Sequence, residues 1–212
     1  MQISIIHPTR HRVEQAIKTR SNWLSRADGE VEYLFSTDSD DTFPLGSVVG
    51  DNKTAIEAIN RAAKLATGDL LIVVSDDFSE PPENWDTLLL MELEGQSDFV
   101  VKTRDGIQPV LVTLPIMDRV YYEQFGYIYH PEYKHMYSDT EMTTVALMLG
   151  RVITSDLLFE HRHYSTGKTP MDAINKKNDA TYKQGERVFN RHLKNNFGIK
   201  NPLIQFKDIV WH

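Results

Sequence analysis

Two neighbouring carboxylates directly follow a run of apolar residues, and they are the residues best suited to chemistry. Leu70 to Val74 is continuously apolar, and Ser75-Asp76-Asp77 comes next. Adjacent carboxylates repel each other unless a cation or hydrogen-bond donors compensate. Magnesium and manganese compensate well, because they bind carboxylate oxygens of a protein together with phosphate oxygens of a substrate. A turn or a helix N-cap before Pro81-Pro82 explains the same residues, so both interpretations stay open for the motif alone.

A histidine pair and a short acidic segment occur later in the chain. His161 and His163 are two residues apart, so on an extended segment both rings point to the same side. Either ring could complete an oxygen-rich metal site, although surface or hydrogen-bonded histidines are common. Ser138-Asp139-Thr140-Glu141 stands just before a helical pattern, where Ser and Asp often cap free amides.

Two more polar clusters end apolar segments in the first half of the chain. Pro8-Thr9-Arg10 follows the apolar run Ile3 to Ile6, and Asp38 to Asp41 follows Val31 to Phe35. We expect the second strand to stop at Phe35, because Ser36 to Asp41 is acidic and favours turns. In a doubly wound sheet such strand ends converge on one crevice.

The elements that position these residues alternate between strands and helices. Between the predicted strands Ile3 to Ile6, Val31 to Phe35 and Asp69 to Val74 lie two amphipathic helices, Val13 to Leu24 and Thr54 to Ala66. Thr54-Ala55-Ile56-Glu57 has the form of a capping box. The continuously apolar third strand is typical of a parallel sheet covered on both faces. This order predicts a three-layer, Rossmann-like α/β domain with a mainly parallel sheet and a ligand site at the carboxyl ends of its strands.

The second half of the chain has a mixed pattern. It predicts three helices and three strands, two of them joined by a turn at Asp105-Gly106: helices at Trp85 to Leu93, Thr140 to Leu149 and within Asp179 to Phe197, and strands at Phe99 to Lys102, Val110 to Leu114 and Val152 to Phe159.

An aromatic segment and a basic segment have two interpretations each. Tyr121 to Tyr137 is rich in rings with polar tips, which could stack on sugars or nucleobases, or pack in a small second sheet. The region after His163 is basic, and a solvated helix face is favoured over a phosphate-contacting tail. Its cations are Lys168, Lys176, Lys177, Lys183, Arg187, Arg191 and Lys194.

Composition limits the class of protein. With 212 residues, 41% of them hydrophobic, the chain can bury one real core, so a single domain is expected. The absence of cysteine excludes disulfides and thiolate metal sites and fits a reducing compartment. The apolar start, Met1 to Ile6, is too short for a secretion signal or a membrane span, so a cytoplasmic protein without a transmembrane segment is expected. The net charge of -7 disfavours nonspecific nucleic-acid binding.

The order of these motifs resembles the family 2 glycosyltransferases, which are inverting enzymes with the A-type glycosyltransferase fold. The resemblance covers roughly Met1 to Ser165. It rests on the opening strand with Pro8-Thr9, on the segment Asn60 to Asp77 that leads to the acidic step, on Ser138 to Met142, and on the late histidine. It implies a small mixed sheet on the acceptor side of the main sheet, and a C-terminal helix.

The resemblance also implies roles for individual residues. Mn²⁺ or Mg²⁺ would be bound by Asp77 and by His161 or His163, and Asp139 would be the catalytic base. Ser75 stands where the family usually has Asp, so Asp76 would support Asp77 rather than share the metal equally. The nucleotide-sugar donor would contact Pro8, Thr9, Arg10, Asp38, Asn60 and Asp76, and the acceptor would contact Tyr127, Tyr129 and Tyr137.

The implied organisation is one domain over residues 1–212. Residues 1–98 would bind the nucleotide sugar, 99–165 would form the acceptor side, and 166–212 a helical tail. The acceptor would be a saccharide, a lipid-linked sugar or a modified DNA base, the last disfavoured by the acidic composition. A sugar-phosphate nucleotidyltransferase is an alternative, although His7 to Arg12 lacks the glycine-rich loop typical of those enzymes. A non-catalytic nucleotide-sugar or carbohydrate-binding module is another.

Overall fold

The strands of the protein form one mainly parallel sheet. The computed structural model describes residues 1–41, 43–45, 48–51 and 54–211. Within these residues seven strands form a sheet of order β3-β2-β1-β4-β6-β5-β7, in which only β6 runs antiparallel to its neighbours. The strands are β1 Ile3–Pro8, β2 Val31–Asp38, β3 Val48–Gly50, β4 Leu70–Val73, β5 Val100–Arg104, β6 Ile116–Asp118 and β7 Val152–Leu158.

Helices cover both faces of this sheet, which confirms the three-layer α/β prediction. Core side chains of α1 and α3 pack on one face, and those of α2, α4, α5 and α7 pack on the other. The helices are α1 Val13–Ser25, α2 Ala55–Ala63, α3 Trp85–Glu92, α4 Arg119–Phe125, α5 Ser138–Met148, α6 Ala173–Asp179 and α7 Tyr182–Leu193. No helix in the described part of the chain is both long enough and apolar enough to cross a membrane.

The central strands show why the sheet needs both layers. Successive residues of a strand point to opposite faces. Accordingly Leu70 and Ile72 of β4 belong to the core beside α1 and α3, whereas Leu71 and Val73 belong to the core beside α2 and α5. All four side chains are at least 95% buried. A continuously apolar strand is therefore the pattern that this position requires.

The start of α2 is fixed by the predicted capping box. The Thr54 hydroxyl accepts a hydrogen bond from the Glu57 backbone N–H at 3.1 Å, and the Glu57 carboxylate accepts one from the Thr54 N–H at 3.1 Å. Both bonds satisfy amides that the first helical turn leaves free. The helix then buries its apolar stripe, including Ile56 and Ile59, against β1 and β2.

Two strand predictions were wrong, each because a partner distant in sequence decides the outcome. The second strand continues past Phe35 to Asp38, because β3 pairs with its last three residues. Val110 to Leu114 is not a strand, since the Val112 N–H donates to the Thr143 hydroxyl at 3.0 Å rather than to a neighbouring strand. The strand that occupies this place in the sheet is β6, two residues further on.

The second half also contains helices where other structure was expected. The segment Tyr121 to Tyr137 holds most of α4 followed by turns and the approach to α5, not a small second sheet. The strands expected on the acceptor side join the main sheet, and antiparallel β6 makes that part of it mixed. In the tail, α6 precedes the predicted closing helix, which is α7.

Candidate active site at the carboxyl edge of the sheet

The carboxyl ends of β1, β2, β4 and β7 meet at one edge of the sheet, as the sequence predicts. Backbone hydrogen bonds fasten the segment after β7 onto the acidic step after β4. The Arg162 N–H donates to the Asp77 carbonyl at 2.8 Å, and the Ser79 N–H donates to the Glu160 carbonyl at 2.9 Å. Phe78 and His161 form an isolated antiparallel bridge between these bonds. The late histidines are thereby held beside the two carboxylates.

Asp76 is held from inside the protein. Its Oδ1 lies 2.8 Å from Nε2 of the fully buried His7, and its Oδ2 accepts a hydrogen bond of 3.3 Å from the Thr9 hydroxyl. The other ring nitrogen of His7 lies 2.6 Å from the Tyr33 hydroxyl. Burial raises the pKa of Tyr33, so the phenol keeps its proton and donates to His7. His7 then donates to Asp76. The Asp76 side chain is thereby fixed in place and supports the neighbouring Asp77 from inside the protein.

Asp77 is the carboxylate that stays accessible from the crevice. Its side chain is 17% exposed, against 4% for Asp76. Burial raises the pKa of Asp77 and the charge of Asp76 adds to the effect, while Arg12 opposes it. A carboxylate with incompletely compensated charge at the mouth of a crevice is suited to a divalent cation.

Arg12 is a site residue that the sequence analysis missed. It precedes the first residue of α1, and its Nη1 lies 3.6 Å from Asp76 Oδ2 and 3.7 Å from Asp77 Oδ1. Its Nε and Nη2 donate to Asp172 Oδ2 at 2.9 and 2.6 Å. The guanidinium therefore joins the acidic step to the N-cap of α6. The only feature of the sequence that could have indicated a role for Arg12 is its position just after the polar loop that ends β1.

The two histidines have different surroundings. His161 stacks on Phe78 with ring centroids 4.6 Å apart, and burial lowers its pKa to about 4. Nδ1 of His163 lies 2.8 Å from the Ser165 hydroxyl and accepts a hydrogen bond of 3.3 Å from the Ser165 N–H, so a metal ion would bind the other nitrogen, Nε2. His163 lowers the pKa of both Asp77 and Asp139, which indicates that its ring lies near both carboxylates. His163 is thus the better placed of the two predicted metal ligands.

Asp139 lies in the first turn of α5 and reaches the same region. Its Oδ1 accepts a hydrogen bond of 2.8 Å from the Thr140 N–H. The Asp139 side chain does not cap the helix, because the N-cap position belongs to Tyr137. Burial raises the pKa of Asp139, although Thr140 and His163 oppose this. A carboxylate of raised proton affinity can accept a proton from a hydroxyl group.

The predicted donor contacts at the end of β1 and β2 form a charged cluster. Arg10 donates to both Asp40 oxygens, at 2.9 and 2.8 Å, and also forms an ion pair with the buried Asp38. The hydrogen bond from Arg10 lowers the pKa of Asp40 to about 2. Pro8 ends β1 beside this cluster. A nucleobase that contacts Asp38 would have to share it with Arg10.

Asn60 has its side chain engaged elsewhere. Its amide oxygen accepts hydrogen bonds from the N–H groups of Ile128 and Tyr129 at 3.0 and 3.2 Å, and its NH₂ group donates to the Tyr129 carbonyl at 2.6 Å. These three bonds fix the chain ahead of α5. They do not favour the predicted donor contact, which stays a prediction.

The tyrosines do not form an exposed aromatic surface. Tyr129 is 93% buried in the core, and Tyr127 is half-buried beside a small cavity of about 30 Å³. The Tyr137 hydroxyl donates to the Tyr182 hydroxyl at 2.9 Å, so this ring packs against α7. Core packing explains most of the segment, and the acceptor contacts expected of Tyr127, Tyr129 and Tyr137 stay a prediction. In a sequence, such a cluster of tyrosines is equally typical of a surface that stacks on a ligand and of packing in the protein core.

The basic residues of the tail lie on the surface. All seven side chains named above are exposed, and two of them form ion pairs with acidic neighbours: Lys168 with Glu160 and Arg191 with Glu132. This agrees with a solvated helix face.

The residues at the acidic step fit a hard divalent cation. Asp77 offers a carboxylate oxygen and His163 an imidazole nitrogen, and Asp76 holds the step from behind through His7 and Thr9. Oxygen ligands with one imidazole suit Mn²⁺ or Mg²⁺, with further positions left for phosphate oxygens and water.

Only the comparison with solved structures found proteins that are similar to this chain. No family model and no curated protein matches it. Among solved structures, glucosyl-3-phosphoglycerate synthase from Mycobacterium tuberculosis in complex with Mn²⁺, uridine-diphosphate-glucose and glycerol 3-phosphate is similar, with a TM-score of 0.60 and 16% identity over 85% of this chain and 78% of that chain.

Two further solved structures are also similar to this chain. The complex of the same synthase with Mg²⁺ and uridine-diphosphate has a TM-score of 0.55 and 16% identity over 76% of this chain and 72% of that chain. A mannosyltransferase from Pyrobaculum calidifontis in complex with GDP-Man and Mn²⁺ has a TM-score of 0.59 and 16% identity over 76% of this chain and 56% of that chain. At these identities the comparisons show a shared fold, which is that of A-type glycosyltransferases.

Proposed function

We propose that this protein is a metal-dependent glycosyltransferase that moves a sugar from a nucleoside-diphosphate sugar to an acceptor hydroxyl with inversion. The observation that carries the proposal is that the segment after β7, which holds His163, is hydrogen-bonded to the acidic step that holds Asp77. His163 also lowers the pKa of Asp139 in α5, which supports a place for Asp139 in the same site. The proteins of similar fold that were solved with nucleotide sugars and Mn²⁺ support it.

The donor half of the reaction is assigned to the acidic step. Asp77 and His163 would hold Mn²⁺ or Mg²⁺, which when bound neutralises the charge that develops on the departing diphosphate. Asp76 fixes the direction of Asp77, and Arg12 supplies a positive charge beside it. Asp38 and Arg10 lie where the strand ends lead towards the nucleoside.

The acceptor half of the reaction is assigned to Asp139. Its carboxylate accepts the proton of the acceptor hydroxyl while that oxygen bonds to the anomeric carbon. The bond from the anomeric carbon to the diphosphate oxygen breaks on the opposite face, so the sugar configuration inverts. Residues 1–98 would then bind the donor, residues 99–165 the acceptor, and residues 166–212 would close the site as a helical tail. A cytoplasmic location stays a prediction from composition.

A comparison of two variants tests the assignment. Nucleotide sugars are first screened for Mn²⁺-dependent thermal stabilisation, because a bound ligand stabilises the folded state in proportion to its affinity. With the donor so identified, we expect Asp139→Asn to keep donor binding and to lose transfer by ~10²–10⁴. Asp77→Asn should lose both metal-dependent binding and transfer. The exposed Asp208, substituted by Asn, is the matched control.

The product distinguishes the alternatives. NMR of the glycoside should show the anomeric configuration opposite to that of the donor. Full transfer by Asp139→Asn, or a product of retained configuration, would refute the role of Asp139 as base. Release of pyrophosphate would identify a nucleotidyltransferase, and binding without turnover a non-catalytic module.

A further inference from the structure

A second group of metal-binding side chains lies away from the acidic step. His130 and Glu132 are in the turns that follow α4, and His192 is in the last turn of α7. Each offers one ligand atom, and the three atoms all lie within 4.8 Å of one another. Two imidazoles and a carboxylate are a ligand set typical of zinc-binding proteins.

Local hydrogen bonds hold the first two ligands in one tight turn. The Tyr133 N–H donates to the His130 carbonyl at 3.1 Å, and the Glu132 N–H lies 3.3 Å from His130 Nδ1. Gln184 of α7 donates to the Glu132 carbonyl at 2.8 Å and draws this turn onto the helix. The Gln184 side chain therefore ties the turn that holds His130 and Glu132 to α7, the helix that holds His192.

The His192 ring is oriented by a buried carboxylate. Its Nδ1 lies 2.8 Å from Oε2 of Glu141, which is 95% buried and also accepts a hydrogen bond of 2.5 Å from the Tyr133 hydroxyl. A carboxylate that accepts the Nδ1 proton of a histidine is the usual second partner of a zinc-bound imidazole. The arrangement makes Nε2, the nitrogen that faces Glu132, the ligand atom that His192 would offer.

Nε2 of His192 faces a second carboxylate. It lies 3.3 Å from Glu132 Oε1, whereas Oε2 of Glu132 pairs with Arg191. An imidazole with a carboxylate at each nitrogen must carry a proton or a metal ion at Nε2. The ring centroid of His130 lies 4.4 Å from that of His192, so a metal ion bound at Nε2 of His192 would be within reach of His130 as well.

We propose that His130, Glu132 and His192 bind a transition-metal ion of the zinc class, with water in the fourth position. The bound ion would link the turn at residues 130–133 to α7. It is separate from the acidic step, because Glu141 and Asp139 are two residues apart on α5 and so point to different sides of that helix. The inference does not depend on the proposed glycosyl transfer.

Metal binding to the full-length chain tests the proposal. The protein is prepared without a histidine tag, stripped with a chelator and dialysed against Zn²⁺ with excess Mg²⁺, and bound metal is measured by mass spectrometry. We expect one Zn²⁺ to be retained per chain and to raise the melting temperature. His130→Gln and Glu132→Gln should each weaken Zn²⁺ affinity about tenfold or more, as measured by competition with a chromogenic chelator.

Matched variants separate this site from the other one and from misfolding. Asp77→Asn and the exposed His11→Gln should retain zinc at the wild-type affinity. Metal-free His130→Gln and Glu132→Gln should have the circular dichroism spectrum of metal-free wild type. Equal zinc affinity in wild type, His130→Gln and Glu132→Gln would overturn the proposal, and so would loss of zinc from Asp77→Asn alone. Failure of wild type to retain any zinc would also overturn it.

Discussion

At the scale of single residues, the charges around the acidic step are arranged about Arg12. Its guanidinium faces three carboxylates, those of Asp76, Asp77 and Asp172. Asp76 and Asp77 are adjacent in sequence just after the buried strand β4, and the Arg12 cation offsets their mutual repulsion. Arg12 therefore takes part of the role that a metal ion would have at the same carboxylates.

Substitution of Arg12 should change the affinity for metal ions. In Arg12→Gln the repulsion between the guanidinium and an added cation is removed, so we expect Mn²⁺ alone to bind about tenfold more tightly, a change of about 1.4 kcal/mol. Isothermal titration measures this directly. Arg26→Gln is the control, because Arg26 pairs with Glu80 away from the site. Unchanged or weaker Mn²⁺ binding by Arg12→Gln would show that Arg12 does not compete with the ion.

The buried pair of His7 and Asp76 should contribute strongly to stability. His7→Phe keeps an aromatic ring but leaves the Asp76 carboxylate without its main donor, and we expect a loss of about 2–4 kcal/mol in the free energy of unfolding. Tyr33→Phe removes only the outer hydrogen bond of the same chain and should cost about 1 kcal/mol. Urea unfolding measures both. Equal losses in the two variants would contradict the central place of His7.

At the scale of elements, the contact of α7 with the start of α5 depends on a glycine. The N-cap of α5, Tyr137, has a φ of 72°, and the chain just before it runs close to Gly185 of α7. A Cβ atom on Gly185 would lie 2.1 Å from the Met136 carbonyl oxygen, a distance that no side-chain movement relieves. The helix can approach the residues ahead of Asp139 only because this side chain is absent.

Gly185→Ala should therefore destabilise the protein in spite of the higher helix propensity of alanine. We expect a loss of about 1–3 kcal/mol, measured as the change in the midpoint of urea unfolding. Gly29→Ala is the milder comparison, since its Cβ would meet a side-chain atom of Asp86 at 3.3 Å and no backbone atom. A stability equal to or above wild type would mean that α7 can shift without cost.

The sequence predicts elements well where local pattern decides them. β1, α1, α2 and β4 follow from apolar periodicity and capping, and each appears near its predicted bounds. Where a distant partner decides, local pattern fails. Val112 and Leu114 are two residues apart yet pack in different cores, which a regular strand does not allow. The three residues of β6 are too few to show a period.

The acidic members of the candidate site and the late histidine His163 were predictable from the sequence. Asp76, Asp77 and Asp139 stand at element ends, where the sequence signal for polar chemistry is strong. His7 lies inside an apolar strand and Arg12 in a cluster of basic residues, so neither residue type suggested a partner. Their partners Tyr33 and Asp172 are far along the chain, and only the fold brings them together.

At the scale of the whole molecule, burial of neutral histidines links folding to pH. Burial lowers the pKa of His135 from its ordinary 6.5 to about 4, and His161 shows the same shift. Between these pH values the unfolded chain binds protons that the folded chain does not. The stability contributed by each ring is therefore complete above pH 6.5 and is lost as the pH falls towards 4.

The free energy of unfolding of the metal-free protein should thus decrease on acidification. His135→Gln removes one of the two groups, so we expect a shallower decrease between pH 6.5 and 4, smaller by up to about 3 kcal/mol. Urea unfolding in a chelating buffer at several pH values measures the slopes. His11→Gln alters an exposed ring and serves as the control. If His135→Gln leaves the slope of the unfolding free energy against pH unchanged, the lowered pKa of His135 is contradicted.

The bonds between Arg12 and Asp172 connect positions 160 residues apart in sequence, one beside the acidic step and the other at the start of α6. A diphosphate or metal ion that draws the guanidinium away takes a partner from that N-terminus. We expect amide hydrogen exchange in α6 to become faster when nucleotide and Mn²⁺ are added, and exchange in α3 to stay constant. Hydrogen exchange in α6 would then show whether the crevice at the acidic step is occupied, although α6 contributes no ligand to it.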